Sequence, residues 1–369
     1  MMSGITPIVM PKWGLSMKEG TVMSWLVDEG ADIAVGMPIL EVETDKIANA
    51  VEAADPGKLR RRVAAEGDVL PVKALLGVMA GEDVSDAEID AYIAGYVTPV
   101  DEDDGADAAP AYLYVEVDGV NVRYAKKGAA EGTPVIFIHG FGGDLDNWLF
   151  NIDAIGEKAP VIALDLPGHG QSTVKLPGKS IDALADFVGK FMAAINVPKA
   201  HLVGHSMGGA IISSLANRSK DKVASLTLIG SAGLGDEINS TYTSGFATAP
   251  SRKELKPLLE LLFADPSLVN RQLVDDVLKY KRLDGVTELL TELGQALFAN
   301  GKQASKPGLQ LSGEIPVLVV WGAKDHIIPS SHSQNAKSAK IHILDDAGHM
   351  VQLEKAADVN RLIIQHIAS

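Results

Sequence analysis

The stretch Val203-Gly204-His205-Ser206-Met207-Gly208-Gly209 decides how the larger part of this chain is read. An apolar piece, His201-Leu202-Val203, precedes it, and small and apolar residues, 210–216, follow it. The pentapeptide therefore has the form G-x-S-x-G between a strand and a helix, the context in which it carries meaning. A serine at that turn is held in a strained backbone with its hydroxyl presented to a ligand. Glycines at 204 and 208 have no Cβ, so strand and helix can close in around it. With 36 glycines in 369 residues a bare pentapeptide is weak evidence, so the reading rests on the serine's partners.

Outward from this turn, residues 112–369 alternate apolar runs with helical stretches. Runs at 134–138, 161–164, 201–203, 224–229 and 317–321 have the continuous hydrophobicity of buried parallel strands, and 341–344 reads as one more strand. Segments 112–117 and 120–124 flank Asp118-Gly119, a two-residue hairpin signal. The order predicts a doubly wound α/β sheet, whose reactive groups gather at the carboxyl ends of its strands. Three such ends carry polar residues. The first is His139-Gly140-Phe141-Gly142-Gly143, where glycines let backbone N–H groups face a ligand oxygen. The amides of Phe141 and of Met207 are the natural oxyanion-hole pair, and His139 is read as holding the loop. The second is Asp325, either a helix cap or the acid that orients a histidine. The third is His349, with Asp345 and Asp346 as rival acids nearby. Asp165 and His169 are read as holding the 165–170 loop, and His205 as packing beside the turn. Histidines 201, 326, 332, 342 and 366 lack metal-ligand spacing, so no metal site is expected. Residues 231–307 interrupt the sheet pattern, with amphipathic helices predicted at 255–263, 267–281 and 287–298. They read as a cap over the site.

The first 81 residues repeat themselves at an offset of 37. Gly20-Thr21-Val22 matches Gly57-Lys58-Leu59, Glu29-Gly30 matches Glu66-Gly67, and Ile33, Val35 and Ile39 match Leu70, Val72 and Leu76. Each half reads as short strands with glycine turns, which predicts an all-β sandwich with a pseudo-two-fold axis. Between the halves, residues 41–52 read as strand, tight turn, strand, with Asp45-Lys46 at the turn. On physical grounds alone a lysine there is a solvated charge.

Charge separates the two regions. Net charge is −15, divided as −3 over residues 1–81, −10 over 82–110 and −2 over 111–369. Residues 82–110 hold no Lys or Arg. The pattern Ser85-x-x-Glu88 predicts a capped helix of about two turns, and 98–110 has the composition of an extended connector. Thirteen stretched residues span at most roughly 43–47 Å. The acidity argues against a nucleic-acid partner. No apolar run is long enough to span a membrane, and no secretory signal is seen. Zero cysteines exclude disulfides and a thiol nucleophile and fit a cytoplasmic protein.

Two resemblances sharpen this reading. The run Glu43-Thr44-Asp45-Lys46-Ile47 between matching glycine-containing halves makes residues 4–80 similar to the lipoyl domains of 2-oxo acid dehydrogenases. That resemblance implies covalent lipoate on Lys46. His139 to Gly143, Asp165-Leu166-Pro167-Gly168-His169-Gly170, the Ser206 turn, Trp321 to Asp325 and Ala347 to Met350 make 112–369 similar to α/β-hydrolases. By position, Ser206 is then the nucleophile, His349 the general base and acid, and Asp325 the group that orients it. The intervening 81–111 is a short helix and acidic linker, and the usual acyltransferase signature H-x-x-x-D-G is absent. The arrangement resembles the acetyltransferase components of acetoin dehydrogenase systems. It implies acyl transfer from a dihydrolipoyl thioester to coenzyme A through an acyl-serine. The implied partners are a thiamine-diphosphate-dependent dehydrogenase and a dihydrolipoamide dehydrogenase, with a homo-oligomer expected. An esterase, thioesterase or carbon–carbon bond hydrolase carrying a lipoyl domain is the alternative.

Overall fold

The computed structural model describes residues 4–13, 17–44, 48–99, 112–129 and 131–368. Contacts divide the chain into two compact units, Met1–Pro110 and Ala111–Ser369. The first unit has strands β1 (Ile5–Val9), β2 (Glu19–Trp25), β3 (Asp32–Ile33), β4 (Pro38–Glu43), β5 (Ala48–Glu52), β6 (Gly57–Arg62), β7 (Val69–Pro71) and β8 (Leu75–Ala80). They form two four-stranded sheets, ordered β1-β8-β6-β3 and β5-β4-β2-β7. Exchanging β1 with β5, β2 with β6, β3 with β7 and β4 with β8 turns one order into the other. The sequence repeat is thus a two-fold in space. Backbone bonds obey it: Gly30 N–H donates to the Leu59 carbonyl at 2.6 Å, and Gly67 N–H donates to the Val22 carbonyl at 2.7 Å. Each half contributes two strands to each sheet, with β3 paired to β6 and β7 to β2 across the halves. The shared core, with Val22, Ile39, Leu40, Val42, Leu59 and Leu76 fully buried, belongs to neither half alone.

The β4–β5 ladder runs from Pro38–Glu52 to Glu43–Ala48. Asp45, Lys46 and Ile47, which sequence places at the turn, lie outside the described residues, as does the acidic run 100–111. Helix α1 (Asp86–Gly95) has the expected capping box at Ser85 and Glu88. It is folded onto the first unit: Ile89 is fully buried against Leu75, Val78 and Ala80 of β8 and Val84. Tyr96 completes the contact by donating its hydroxyl proton to the Lys73 carbonyl at 2.8 Å. Its apolar face, Ile89 with Tyr92 and Ile93, makes it part of this unit's surface.

The second unit carries one eight-stranded sheet. Its strands are β9 (Leu113–Val117), β10 (Val120–Gly128), β11 (Val135–Ile138), β12 (Pro160–Leu164), β13 (Ala200–His205), β14 (Val223–Ile229), β15 (Val317–Gly322) and β16 (Lys340–Leu344). The order is β16-β15-β14-β13-β11-β12-β10-β9. β9 and β10 are antiparallel, and β11 to β16 run parallel. The hairpin at Asp118-Gly119 has positive φ at both residues (51° and 75°), the twist-matched turn its sequence calls for. Helices α2 (Ile152–Gly156), α3 (Ile181–Ala194), α4 (Met207–Arg218), α9 (Val351–Glu354) and α10 (Ala356–Ile367) are joined to this sheet. From β11 the chain steps to β12 on one side, and β13 takes the other side. This reversal opens a crevice at the carboxyl ends of β11 and β13. Residues His139 and Ser206 are the next along the chain from those two ends.

Between β14 and β15 the chain forms α5 (Ser240–Thr248), α6 (Arg252–Glu260), α7 (Arg271–Lys281) and α8 (Val286–Leu297). The last three answer to the predicted amphipathic segments. Helix α5, rich in Ser, Thr and Gly, has no such pattern. Asn239 caps it by accepting from the Tyr242 amide, and buried Tyr242 and Phe246 hold it to its neighbours. No helix among the described residues is long and apolar enough to cross a membrane.

Candidate active site

Ser206 has φ 53° and ψ −118°, a conformation that non-glycine residues rarely adopt. The surrounding packing leaves it little choice. The Ser206 amide donates to the Ile229 carbonyl at 3.0 Å, and the Ser206 carbonyl accepts from Ala232 at 3.0 Å. A Cβ at position 204 would lie 2.5 Å from the Gly208 carbonyl oxygen, and one at 208 would collide with that of Ile138. Both glycines are therefore required by close approach. Ser206 is buried and sits at the N-cap position of α4, whose first residue is Met207, with no capping bond from its side chain. The first amides of a helix have no partner inside it, so Met207 N–H belongs to a set open to a ligand. The 139–143 loop lies against the same turn: a Cβ on Gly140 would sit 3.0 Å from that of Ser206.

Asp325 and His349 meet at the end of the neighbouring strands. His349 Nδ1–H donates to Asp325 Oδ2 at 2.8 Å, with both side chains nearly inaccessible. The other carboxylate oxygen, Oδ1, accepts from the Ile327 and Ile328 amides at 2.8 and 2.9 Å. This pairing assigns the His349 proton to Nδ1 and leaves Nε2 as its basic nitrogen. Gly230 follows Ile229 in the chain, and a Cβ there would be 3.3 Å from His349 Nδ1 and 3.5 Å from Asp325 Oδ2. The Ser206 turn and the His–Asp pair are thus stitched to the same end of β14. A second stitch is His205, whose ring lies 4.7 Å from that of His349 and whose Nε2–H donates to the His349 carbonyl at 2.9 Å. Burial, reinforced by His349, holds the His205 pKa well below the ordinary histidine value. Asp346 instead pairs with exposed Lys324 at 2.6 Å. Asp345 faces solvent; of the three acids, the one bonded to His349 is Asp325.

The loops beneath are held by buried polar groups. Leu166 N–H donates to His139 Nε2 at 2.9 Å, so the His139 proton sits on Nδ1 and donates to the Gly140 carbonyl at 2.7 Å. Burial pushes the His139 pKa down to about 4 and that of His169 to about 3. Asp165 is fully buried and bridged by Arg123 through Nε and Nη2 at 2.6 and 3.2 Å; it also accepts from the Leu145 and Gln171 amides. Among the described residues, no group of His, Asp and Glu could hold a metal ion.

Two family models match this chain: one described as alpha/beta hydrolase fold over residues 133–356, and one described as biotin-requiring enzyme over 6–79. Over 365 residues the chain is 58% identical to the dihydrolipoyllysine-residue acetyltransferase component of the acetoin cleaving system of Cupriavidus necator, covering 98% of this chain and 97% of the relative. The chain belongs to this acetyltransferase family. The corresponding component of Pseudomonas putida is 47% identical, with 98% of each chain covered. Among solved structures, a meta-cleavage product hydrolase from Pseudomonas fluorescens IP01 is similar with a TM-score of 0.63. It is 26% identical and covers 69% of this chain and 97% of that one.

In this acetyltransferase family member the helices between β14 and β15 press aromatic groups onto the 139–143 loop. The Phe141 ring stands edge-on to Phe246 of α5 at 6.0 Å and to Phe298, just past α8, at 5.9 Å. Buried Lys281 of α7 donates to the Phe246 and Ala249 carbonyls at the end of α5, and burial lowers its pKa to about 8. Several supporting residues carried no sequence signal. Arg123 sits in an otherwise unremarkable strand, and Phe246 in a helix without periodicity. Glu354 bonds the backbone beside His349, yet reads in sequence as one more helical acid.

Proposed function

We propose that this chain transfers an acetyl group from S-acetyl-dihydrolipoyl-lysine to coenzyme A, with Ser206 as the acyl carrier. The observation that supports it best is the Asp325–His349 pair joined through β14 to a positive-φ serine, in a chain with a lipoyl-type domain. A primary amine at Lys46 suits amide attachment of lipoate, which supplies the thiol that bears the acetyl group. Ser206 Oγ attacks the thioester carbonyl while its proton passes to His349 Nε2. The Phe141 and Met207 amides receive the oxyanion. The carbon–sulfur bond breaks, and His349 returns the proton to the departing thiolate. The coenzyme A thiol then gives its proton to His349 and attacks the acyl-serine carbonyl, the ester bond breaks, and His349 returns the proton to Ser206 Oγ. Asp325 keeps His349 in the Nδ1–H form throughout and stabilises its cation. Partners are a thiamine-diphosphate-dependent dehydrogenase that loads the carrier and a dihydrolipoamide dehydrogenase that reoxidises it, in a cytoplasmic, homo-oligomeric assembly.

The test supplies S-acetyl-dihydrolipoamide with and without coenzyme A. Acetyl-CoA formation that falls about 10⁴-fold or more in Ser206→Ala is expected. Lys46→Arg should leave that reaction intact and abolish transfer from the chain's own carrier. Free acetate released at the same rate with or without coenzyme A would replace this reading by the hydrolytic one.

A further inference from the structure

Three backbone positions around His349 are tied down by separate partners. The Ala347 carbonyl accepts from Lys324 N–H at 2.9 Å, the His349 carbonyl accepts from His205, and Met350 N–H donates to the Leu262 carbonyl at 3.0 Å. The Gly348 amide is held by a side chain, Glu354 Oε2, at 2.7 Å. The other oxygen of the same carboxylate, Oε1, accepts from the Ala264 amide at 2.7 Å. Ala264 lies just beyond α6, in the segment between β14 and β15. Packing there is tight: a Cβ on Gly348 would fall 2.6 Å from the Ala264 nitrogen and 2.7 Å from the Phe263 carbonyl carbon. The glycine lets the two backbones touch, and Glu354 bridges them. Burial pushes the Glu354 pKa up, and the amides of Ala264, Gly348 and Asp265 oppose that rise.

We propose that Glu354 is a positioning residue that locks the His349 loop to the end of α6, so that the base is aligned only while this covering segment is seated. The inference rests on the reading of His349 as the general base. Glutamine at 354 can accept from one of the two amides but turns an NH₂ toward the other. Aspartate keeps the charge and is one methylene too short to reach both.

The experiment uses the full chain and two readouts. Acetyl transfer from S-acetyl-dihydrolipoamide to coenzyme A is measured per active serine, counted by fluorophosphonate titration with Ser206→Ala as blank, and thermal melting is recorded alongside. Glu354→Gln is expected to lower kcat per titrated serine by about tenfold or more, with KM for the donor held within about twofold, since small misplacements of a catalytic group are costly. Glu354→Asp should fall between it and the wild type. An unchanged kcat per titrated serine, even with a lower melting point or a smaller active fraction, overturns the proposal. The phosphonate labelling rate separates the two claims. If the wild-type serine labels but no acetyl reaches coenzyme A, the transfer reading fails alone, and slower labelling in Glu354→Gln still supports the positioning role. Equal labelling rates overturn it, and a wild-type serine that does not label overturns both.

Discussion

The two units solve opposite problems. The first is a duplication, with nearly every structural feature stated twice and its proposed carrier residue, Lys46, on a single sequence segment between the halves. The second has no repeat, and its site exists only where four strand ends meet. All nine histidines lie in the second unit. The first presents a group, and its architecture needs only to be rigid. The second must align groups that are up to 208 positions apart in sequence, Phe141 to His349. Its buried charges and neutral histidines belong to that task.

That contrast can be broken in three places. The largest effect is expected at Arg123, which with Asp165 forms a fully buried ion pair in the second unit. Arg123→Met strands the carboxylate and should cost about 3–5 kcal/mol. Denaturant unfolding of the second unit would show it, with the first unit's transition unmoved. Next come Ile39→Ala and Leu76→Ala, at positions related by the two-fold and equally buried. Each should destabilise the first unit by about 2–5 kcal/mol, and by similar amounts. A large inequality in thermal melting would show that the symmetry is topological and not energetic. The smallest effect is the pH response. Folding depresses the pKa of His139 and His169 below 6.5, so the unfolded chain binds more protons in this range. Their contribution is complete above about pH 6.5 and is lost as pH falls toward 4. Between pH 7.5 and 5.5 the second unit should lose about 1 kcal/mol per histidine, as its melting point would record, while the histidine-free first unit holds. His139→Asn should flatten the slope.

Much of this was legible because local chemistry and global fold agree. Gly30 and Gly67 announce the duplication, and both serve the same turn, with φ 89° at each. Asp118-Gly119 announces its hairpin. The repeat fails where packing breaks the symmetry: Val35 and Val72 match in sequence, yet Val35 is 65% exposed and Val72 is buried. The serine turn and Asp325 are visible because each follows a buried apolar strand, whereas His349 follows the largely exposed edge strand β16 and is visible through its Gly-His motif. Residue pattern kept Asp345 and Asp346 as rivals to Asp325, the resemblance favoured Asp325, and three-dimensional placement sets Asp325 against the imidazole. Arg123, Glu354 and Phe246 were not legible. Their partners, Asp165, Gly348 and Phe141, lie 42, 6 and 105 positions away, and none of the three interactions has a local signature. Helix α5 was missed for the same reason, since its stability comes from neighbours and one cap.

The central claim is that Ser206 carries the acyl group between two thiols. Its most direct test is mass spectrometry of the full chain mixed with S-acetyl-dihydrolipoamide in the absence of coenzyme A. The account predicts one acetyl group on the peptide containing Ser206, absent in Ser206→Ala and discharged as acetyl-CoA when coenzyme A is added. Acetyl-CoA formed at the full rate with no adduct, and undiminished in Ser206→Ala, would mean direct transfer between thiols and would contradict it.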